Sequence, residues 1–481
     1  MKKRITFCVA TFLLFMTAGF TACGLTPEST DEPKQDNPTG LEFVEVDGGY
    51  AVAGIGTCED YDVKIPQTYN GKDVVAVAEN AFAFADGVTK ITVPASVKTI
   101  ETKAFSACTH LATVTLENGV TTIGNEAFSL CSALETVTLG ETVETIGDKA
   151  FYTCERLKEL TVPDRVKRIG MQAFYQNTRL QTLTLGTGLE YIGESAFAYC
   201  DKLPSVEIPD GAPAQICDQA FFECRGLRSI YIGDAAMNIG VEAFDMCTKA
   251  DFLTIGDSVN TIGEKAFEAC RNLIKVTLGE SVREIGNGAF YNCYKLVEVY
   301  NRSQLVLEKN STNGRIGYHP LNIYAQEGGS KVTIDENGCI LYVDGTDVKL
   351  MGHTTNRVIE LVVPDSVTEI PKMAFYNNTY ISSVIAGENL KKIGAQAFHF
   401  AYNVRTASCV GVESIESQAF SHCNKMIKIT LGKNLQTVQE NAFEECEVLS
   451  YIDYTGLNDN WLLIDIESGN DRLKNATRNY I

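Results

Sequence analysis

The dipeptide Ala-Phe recurs along this chain with its phenylalanine at positions 82, 105, 128, 151, 174, 197, 221, 244, 267 and 290, and again at 375, 398, 420 and 443. Every step is 23 residues except one of 24, one of 22 and one gap of 85. A fixed period of this size marks a stack of similar small units, none of which can bury an apolar stripe alone. It overrides what length would invite, since 481 residues at roughly 150 per domain would read as about three globular domains.

Two successive units show the logic. Leu111, Val114, Leu116, Val120, Ile123, Gly124, Ala127, Phe128 and Cys131 return as Leu134, Val137, Leu139, Val143, Ile146, Gly147, Ala150, Phe151 and Cys154. Val114 and Leu116 are two apart, the period of a strand with one buried face. Ile123, Ala127, Phe128 and Cys131 fall at i, i+4, i+5 and i+8, the stripe of a short helix. The expected fold is an α/β solenoid with a parallel sheet on one face and short helices on the other. Gly124 and its equivalents sit where the chain enters the second half of the unit, so either unusual dihedrals or close backbone approach is expected there.

The pattern L-x-x-V-x-L-x-x-x-V-x-x-I-G-x-x-A-F-x-x-C resembles the leucine-rich repeat of BspA-like bacterial surface proteins, over roughly residues 75–300 and 355–450. Cys217 and Pro371 depart from it at the glycine position. The resemblance implies a leucine-rich repeat fold and a binding protein that adheres to host extracellular proteins, such as fibronectin or fibrinogen, or to other cells. Trp461-Leu462-Leu463-Ile464 followed by Gly469-Asn470 is similar to the C-terminal cap of that family. The sole tryptophan then reads as a plug over the last coil.

The breaks in the pattern divide the chain. Residues 41–75 contain Asp47-Gly48 between two apolar runs, a hairpin signal, and read as an N-terminal β cap. Residues 76–300 form a first repeat block. Residues 301–357 lack the Ala-Phe signal but carry a second hairpin signal at Asp344-Gly345, so this β-rich insert is expected to close one block and open another, the alternative being a loop-out from one unbroken solenoid. A second block spans 358–450 and a C-terminal cap 451–481.

The N-terminus adds an address. Lys2, Lys3 and Arg4 precede a short apolar run, and Phe20-Thr21-Ala22-Cys23 resembles a bacterial lipobox. That implies a signal peptide over 1–22 and lipid attachment at Cys23, followed by a polar flexible tether over 23–40. The expected location is the cell envelope, as an outer-membrane lipoprotein exposed at the surface. Removing residues 1–22 takes the net charge from −20 to −23. An excess of acidic side chains disfavours nucleic acid, which needs a basic footprint.

Ten of the sixteen cysteines fall three residues after the repeat phenylalanine. They read as buried thiols of the apolar stripe, with no metal-ligand spacing. His110, His319, His353, His399 and His422 read as separate surface or loop residues. No nucleophile, metalloprotease or phosphate-loop motif is found, so neither an enzyme nor a cofactor is expected.

The strand face carries the remaining signal. Thr92, Thr115, Thr138, Thr161, Thr184, Thr254, Thr277 and Thr430 occupy the outward position between buried strand residues. Tyr231, Phe252 and Tyr300 lie on nearby coils of the same face, and aromatic residues are enriched at binding hot spots. Tyr231, Phe252, Thr254, Thr277 and Tyr300 therefore form the candidate partner-binding face, unless the insert folds over Tyr300, which borders it. The partner expected is a protein, with a structural scaffold role in an envelope complex as the alternative.

Overall fold

Each repeat folds into one coil because it offers its neighbours two strands at fixed offsets. In a computed structural model, which describes residues 40–308, 313–317, 322–325, 331–355 and 357–481, strand Thr113–Leu116 pairs in parallel with Lys90–Val93 before it and Thr136–Thr138 after it. The register steps by one repeat, so Thr92, Thr115 and Thr138 stand side by side. A two-residue strand, Thr122–Ile123, pairs likewise with Thr145–Ile146 in a second parallel sheet. Alternation does the sorting, since Val114 and Leu116 are buried while Thr113 and Thr115 stay half-exposed. The expected signal peptide, most of the expected tether and Cys23 lie outside the described residues, as does His319.

The other half of the coil departs from expectation. Where the apolar stripe predicts a short helix, the chain makes consecutive tight turns. Two residues per coil take left-handed backbone angles, Glu126 (φ 55°) and Leu130 (φ 63°) in one coil, Lys149 (φ 55°) and Thr153 (φ 54°) in the next. Alternate N–H groups then point at the neighbouring coil: Glu126 donates to Asp148 (2.8 Å), Phe128 to Ala150 (2.7 Å) and Leu130 to Tyr152 (2.8 Å). Those between close turns within the coil, as Ala127 to Gly124 and Ser129 to Glu126. A right-handed helix would spend all its N–H groups internally. Inter-coil bonding spends half of them outward, which offsets the cost of the left-handed residues. Helices are confined, among the described residues, to two short ones in the C-terminal cap, Asn458–Trp461 and Asp471–Asn475.

The glycines resolve toward close approach. Gly124 and Gly147 are absent from the positive-φ positions. A methyl on Gly147 would lie 2.6 Å from the Gly124 carbonyl carbon, and one on Gly170 would lie 2.5 Å from that of Gly147. This glycine column lets successive backbones touch.

The core is a ladder of phenylalanines. Phe82 to Phe290 stack one per coil, with centroids 4.9–5.3 Å apart and planes within 17° of parallel. A second ladder runs from Phe375 to Phe443. The two belong to separate apolar cores.

The cysteine slot has a polar function that composition conceals. The Cys131 thiol donates to the Phe105 carbonyl (3.2 Å) and Cys154 to Phe128 (3.2 Å), each reaching the preceding coil. Asn177 takes the same slot and donates its amide to Phe151 (3.0 Å). The fourteen described cysteines are all free. Burial pushes the Cys154 thiol up to about 12, so it stays a donor.

Each ladder needs a substitute for the missing next coil. In mid-stack the phenylalanine N–H donates to an alanine carbonyl one coil on. At the end of the first block Phe290 donates to Gly314 of the insert (2.8 Å). At the end of the second, Phe443 donates to the Asn470 side chain (3.0 Å), whose amide donates in turn to the Gln439 carbonyl (2.9 Å). Trp461 is 6% exposed and packs edge-on against Tyr454 (5.3 Å).

Both blocks open on a hairpin. Glu42–Val46 and Gly49–Gly54 head the first sheet of short strands, and Cys339–Asp344 with Asp347–His353 head the second. The second hairpin is buried on both faces. Cys339, Leu341, Val348 and Leu350 enter the second core. Ile340, Tyr342 and Met351 pack on Ile274 and Val297 of the first block.

Candidate binding surface

The outward face of the long strands carries two columns in register. One runs Thr113, Thr136, Glu159 and Thr182, the other Thr92, Thr115 and Thr138, with Thr161 beside Thr184 further along. Threonine suits such a surface because its branched carbon stiffens the strand and its hydroxyl meets water. Further on, Ser229 pairs with Phe252 and Tyr231 with Thr254.

The five face residues do not share one fate. Tyr231, Phe252 and Thr254 remain half-exposed. Tyr300 is 1% exposed and Thr277 is 4% exposed, so neither belongs to a free surface. Tyr300 stacks on Tyr324 of the insert (5.2 Å), and the Lys275 ammonium sits 4.4 Å above its ring. The Lys331 N–H, also from the insert, donates to the buried Glu298 carboxylate (3.0 Å). The face therefore ends near Thr254, where the insert begins to cover it.

What remains exposed is acidic. The Tyr231 hydroxyl donates to Asp210 (2.6 Å), and that bond, reinforced by burial and by Asp234 and Glu207, pushes the phenol up to about 12. Glu207 stands beside Tyr231 in the strand register. An aromatic ring ringed by three carboxylates suits a cationic or basic group.

Two features escape a residue-by-residue reading. Val362 (59% exposed) and Ile385 (42%) pair side by side on the second block's strand face, a small apolar step. His399 and His422 are 23 residues apart, so the repeat itself stacks them, with centroids 5.3 Å apart. They are not separate surface residues. His399 is 7% exposed with Nδ1 unpartnered, and burial, then His422, pushes it down to about 4. Among the described residues no group of three or more His, Cys, Asp or Glu converges as a metal site would. No helix among them is long and apolar enough to cross a membrane.

A two-sheet stack of one-strand-pair coils, carrying a core phenylalanine in each and an open parallel face, defines a leucine-rich repeat solenoid. The family described as BspA type leucine rich repeat region matches in six copies, over residues 75–204, 190–311 and 353–460. The chain belongs to this family. Solved structures similar to it include a leucine-rich repeat protein from Bacteroides ovatus, 23% identical, covering 92% of this chain and 97% of that one, with a TM-score of 0.46. A leucine rich cell surface protein from Faecalibacterium prausnitzii is 19% identical, covering 92% and 100%, with a TM-score of 0.31. The pneumococcal vaccine antigen PcpA is 18% identical, covering 93% and 96%, with a TM-score of 0.26. No curated protein matches the chain.

Proposed function

We propose that this is a lipid-anchored, surface-displayed binding protein that adheres to host extracellular proteins or to other cells through its strand face. The observation that carries the reading is the junction at Tyr231 and Phe252, where a hydroxyl-bearing sheet gives way to half-exposed rings flanked by Asp210, Glu207 and Asp234. A rigid sheet loses little entropy on binding and collects many weak contacts over a large area. The acidic surround favours a partner with a basic patch, and that part of the affinity falls as salt screens it. The sequence ending in Cys23 supplies the membrane anchor in this reading.

The test is capture of host extracellular proteins by the full chain, compared with Tyr231→Ala, Phe252→Ala and the double variant. About tenfold weaker capture by the double variant is expected, as for loss of an aromatic hot spot. Unchanged capture would move the interface elsewhere. Recovery of envelope proteins alone would replace adhesion by a scaffold role. Protease treatment of intact cells tests display, since a repeat region fully protected from cleavage is not at the surface.

A further inference from the structure

A cavity of about 260 Å³ lies where the first block meets the hairpin and the first coil of the second. Its walls carry Lys249, Arg271, Lys295 and His353, and among the described residues no aspartate or glutamate lines it. That is an unusual concentration in a chain with 61 acidic and 41 basic residues.

The repeat explains how the charges meet. Lys249, Arg271 and Lys295 follow Cys247, Cys270 and Cys293 by two, one and two residues, so each sits in the same loop of successive coils. Stacked coils hold these loops about one strand spacing apart. Like charges at that distance repel unless something neutralises them.

Nothing among the described residues does so fully. Lys295 is 9% exposed, and no hydrogen bond or ion pair reaches its ammonium among the described residues. Its Nζ lies against the hairpin, 3.0 Å from where a methyl on Gly352 would sit. The Arg271 Nε is buried without a partner. The two nearby carboxylates are shared: Asp251 lies between cations, drawn first by Lys295 and then by the Arg228 guanidinium at 3.5 Å, and Asp335 accepts the N–H groups of Asn337 (2.9 Å) and Cys339 (2.8 Å). Asp251 still acts on Lys295 at longer range, but burial outweighs it and pushes the ammonium down to about 8. On the opposite wall Asn378 spends its carbonyl on the N–H groups of Tyr380 and Ile381 (2.9 Å each), which leaves its amide NH₂ free to donate.

We propose that this cavity binds a small oxyanion, a carboxylate, phosphate or sulfate group, held by Lys295 and Arg271 with Lys249 in the same wall. A buried cation without a hydrogen-bonded partner is costly, and an anion that supplies charge-assisted hydrogen bonds offsets that cost. Drug-sized ligands occupy about 300–1,000 Å³, so the bound group sits on a smaller body. The site is separate from the strand face and does not depend on the adhesion reading.

The full chain is titrated with sodium acetate, phosphate and sulfate at constant ionic strength, following calorimetric heat and the rise in melting temperature that binding to the native state produces. Saturable binding is expected for at least one anion. Lys295→Met and Arg271→Gln should each weaken it about tenfold or more, as loss of one partner of a buried charged contact does. Acetate alone identifies a planar carboxylate ligand, and sulfate or phosphate a tetrahedral one. The absence of saturation up to about 50 mM, a concentration far above any functional affinity, overturns the proposal. So does binding that Arg271→Gln leaves unchanged. Arg271 is only partly buried, so that variant keeps the test decisive if Lys295→Met fails to fold.

Discussion

Replacing Asn177 by cysteine should stabilise the protein, although it removes a good hydrogen bond. Asn177 is 0% exposed and occupies the slot held by cysteine in ten coils. Its amide nitrogen donates to the Phe151 carbonyl at 3.0 Å, but its Oδ1 is buried with no partner. The thiol keeps a donor on the same carbonyl, as Cys154 does to Phe128 at 3.2 Å. Exchanging an amide donor for a weaker thiol loses about 0.5 kcal/mol of a net contribution near 1. The slightly smaller side chain costs a few tenths more. Removing the orphaned carbonyl returns about 1–3 kcal/mol, so the balance favours cysteine by roughly 1 kcal/mol. Stacked repeats need not unfold all at once, so the assay is native-state hydrogen exchange at this coil. The Gln176 and Leu180 amides, bonded to Ala198 and Asn177, should exchange about fivefold more slowly in Asn177→Cys. Faster exchange would refute the donor-slot account. Cys154→Asn supplies the reciprocal and should cost a similar amount.

Gly147→Ala places a methyl 2.6 Å from the Gly124 backbone and should destabilise by about 1–3 kcal/mol in urea unfolding; a neutral result would mean the coils separate freely. Asn470→Ala leaves the Phe443 N–H and the Gln439 carbonyl without their side-chain partner; at about 1–3 kcal/mol for each group, the last coil should fray, seen as rapid exchange at Phe443. Asp245 is pushed up to about 7 by burial, then by Glu268, well above its ordinary value in the unfolded chain, so the native state retains the proton longer. Its contribution to stability is therefore full below about pH 4, is lost as pH rises toward 7, and is flat beyond. The urea midpoint of Asp245→Asn should accordingly fall less than that of the parent between those limits.

The strand half of each coil was legible because Val114 and Leu116 can share a buried face in only one regular way, and the period fixed which strands pair. The turn half was misleading for a specific reason. Positions i, i+4, i+5 and i+8 lie on one side of a helix, and they also lie on one side of two successive four-residue turns. Glycine or asparagine at the left-handed positions would have separated the two, but Glu126, Leu130, Lys149 and Thr153 stand there, held by bonds to the next coil. The binding face was half legible. Its outward residues follow from alternation, whereas the burial of Tyr300 depends on an insert whose docking no local pattern records. The His399–His422 stack was available in the spacing itself. The cationic cavity needs the fold, because Tyr380 and His353 reach it from other elements.

The way each coil bonds to the next bears on how such a chain changes length over generations. Phe128 donates to Ala150 and Phe151 to Ala173 at the same 2.7 Å, so each coil offers upward what it accepts from below. Unequal recombination that deletes or duplicates a whole unit would leave every such bond closed. That freedom stops where Ile274 and Val297 meet Ile340, Tyr342 and Met351, because those coils are addressed individually by the hairpin. Relatives should accordingly differ in repeat number ahead of this junction and keep a fixed count across it, with the open face growing or shrinking by whole coils while its covered end stays in place.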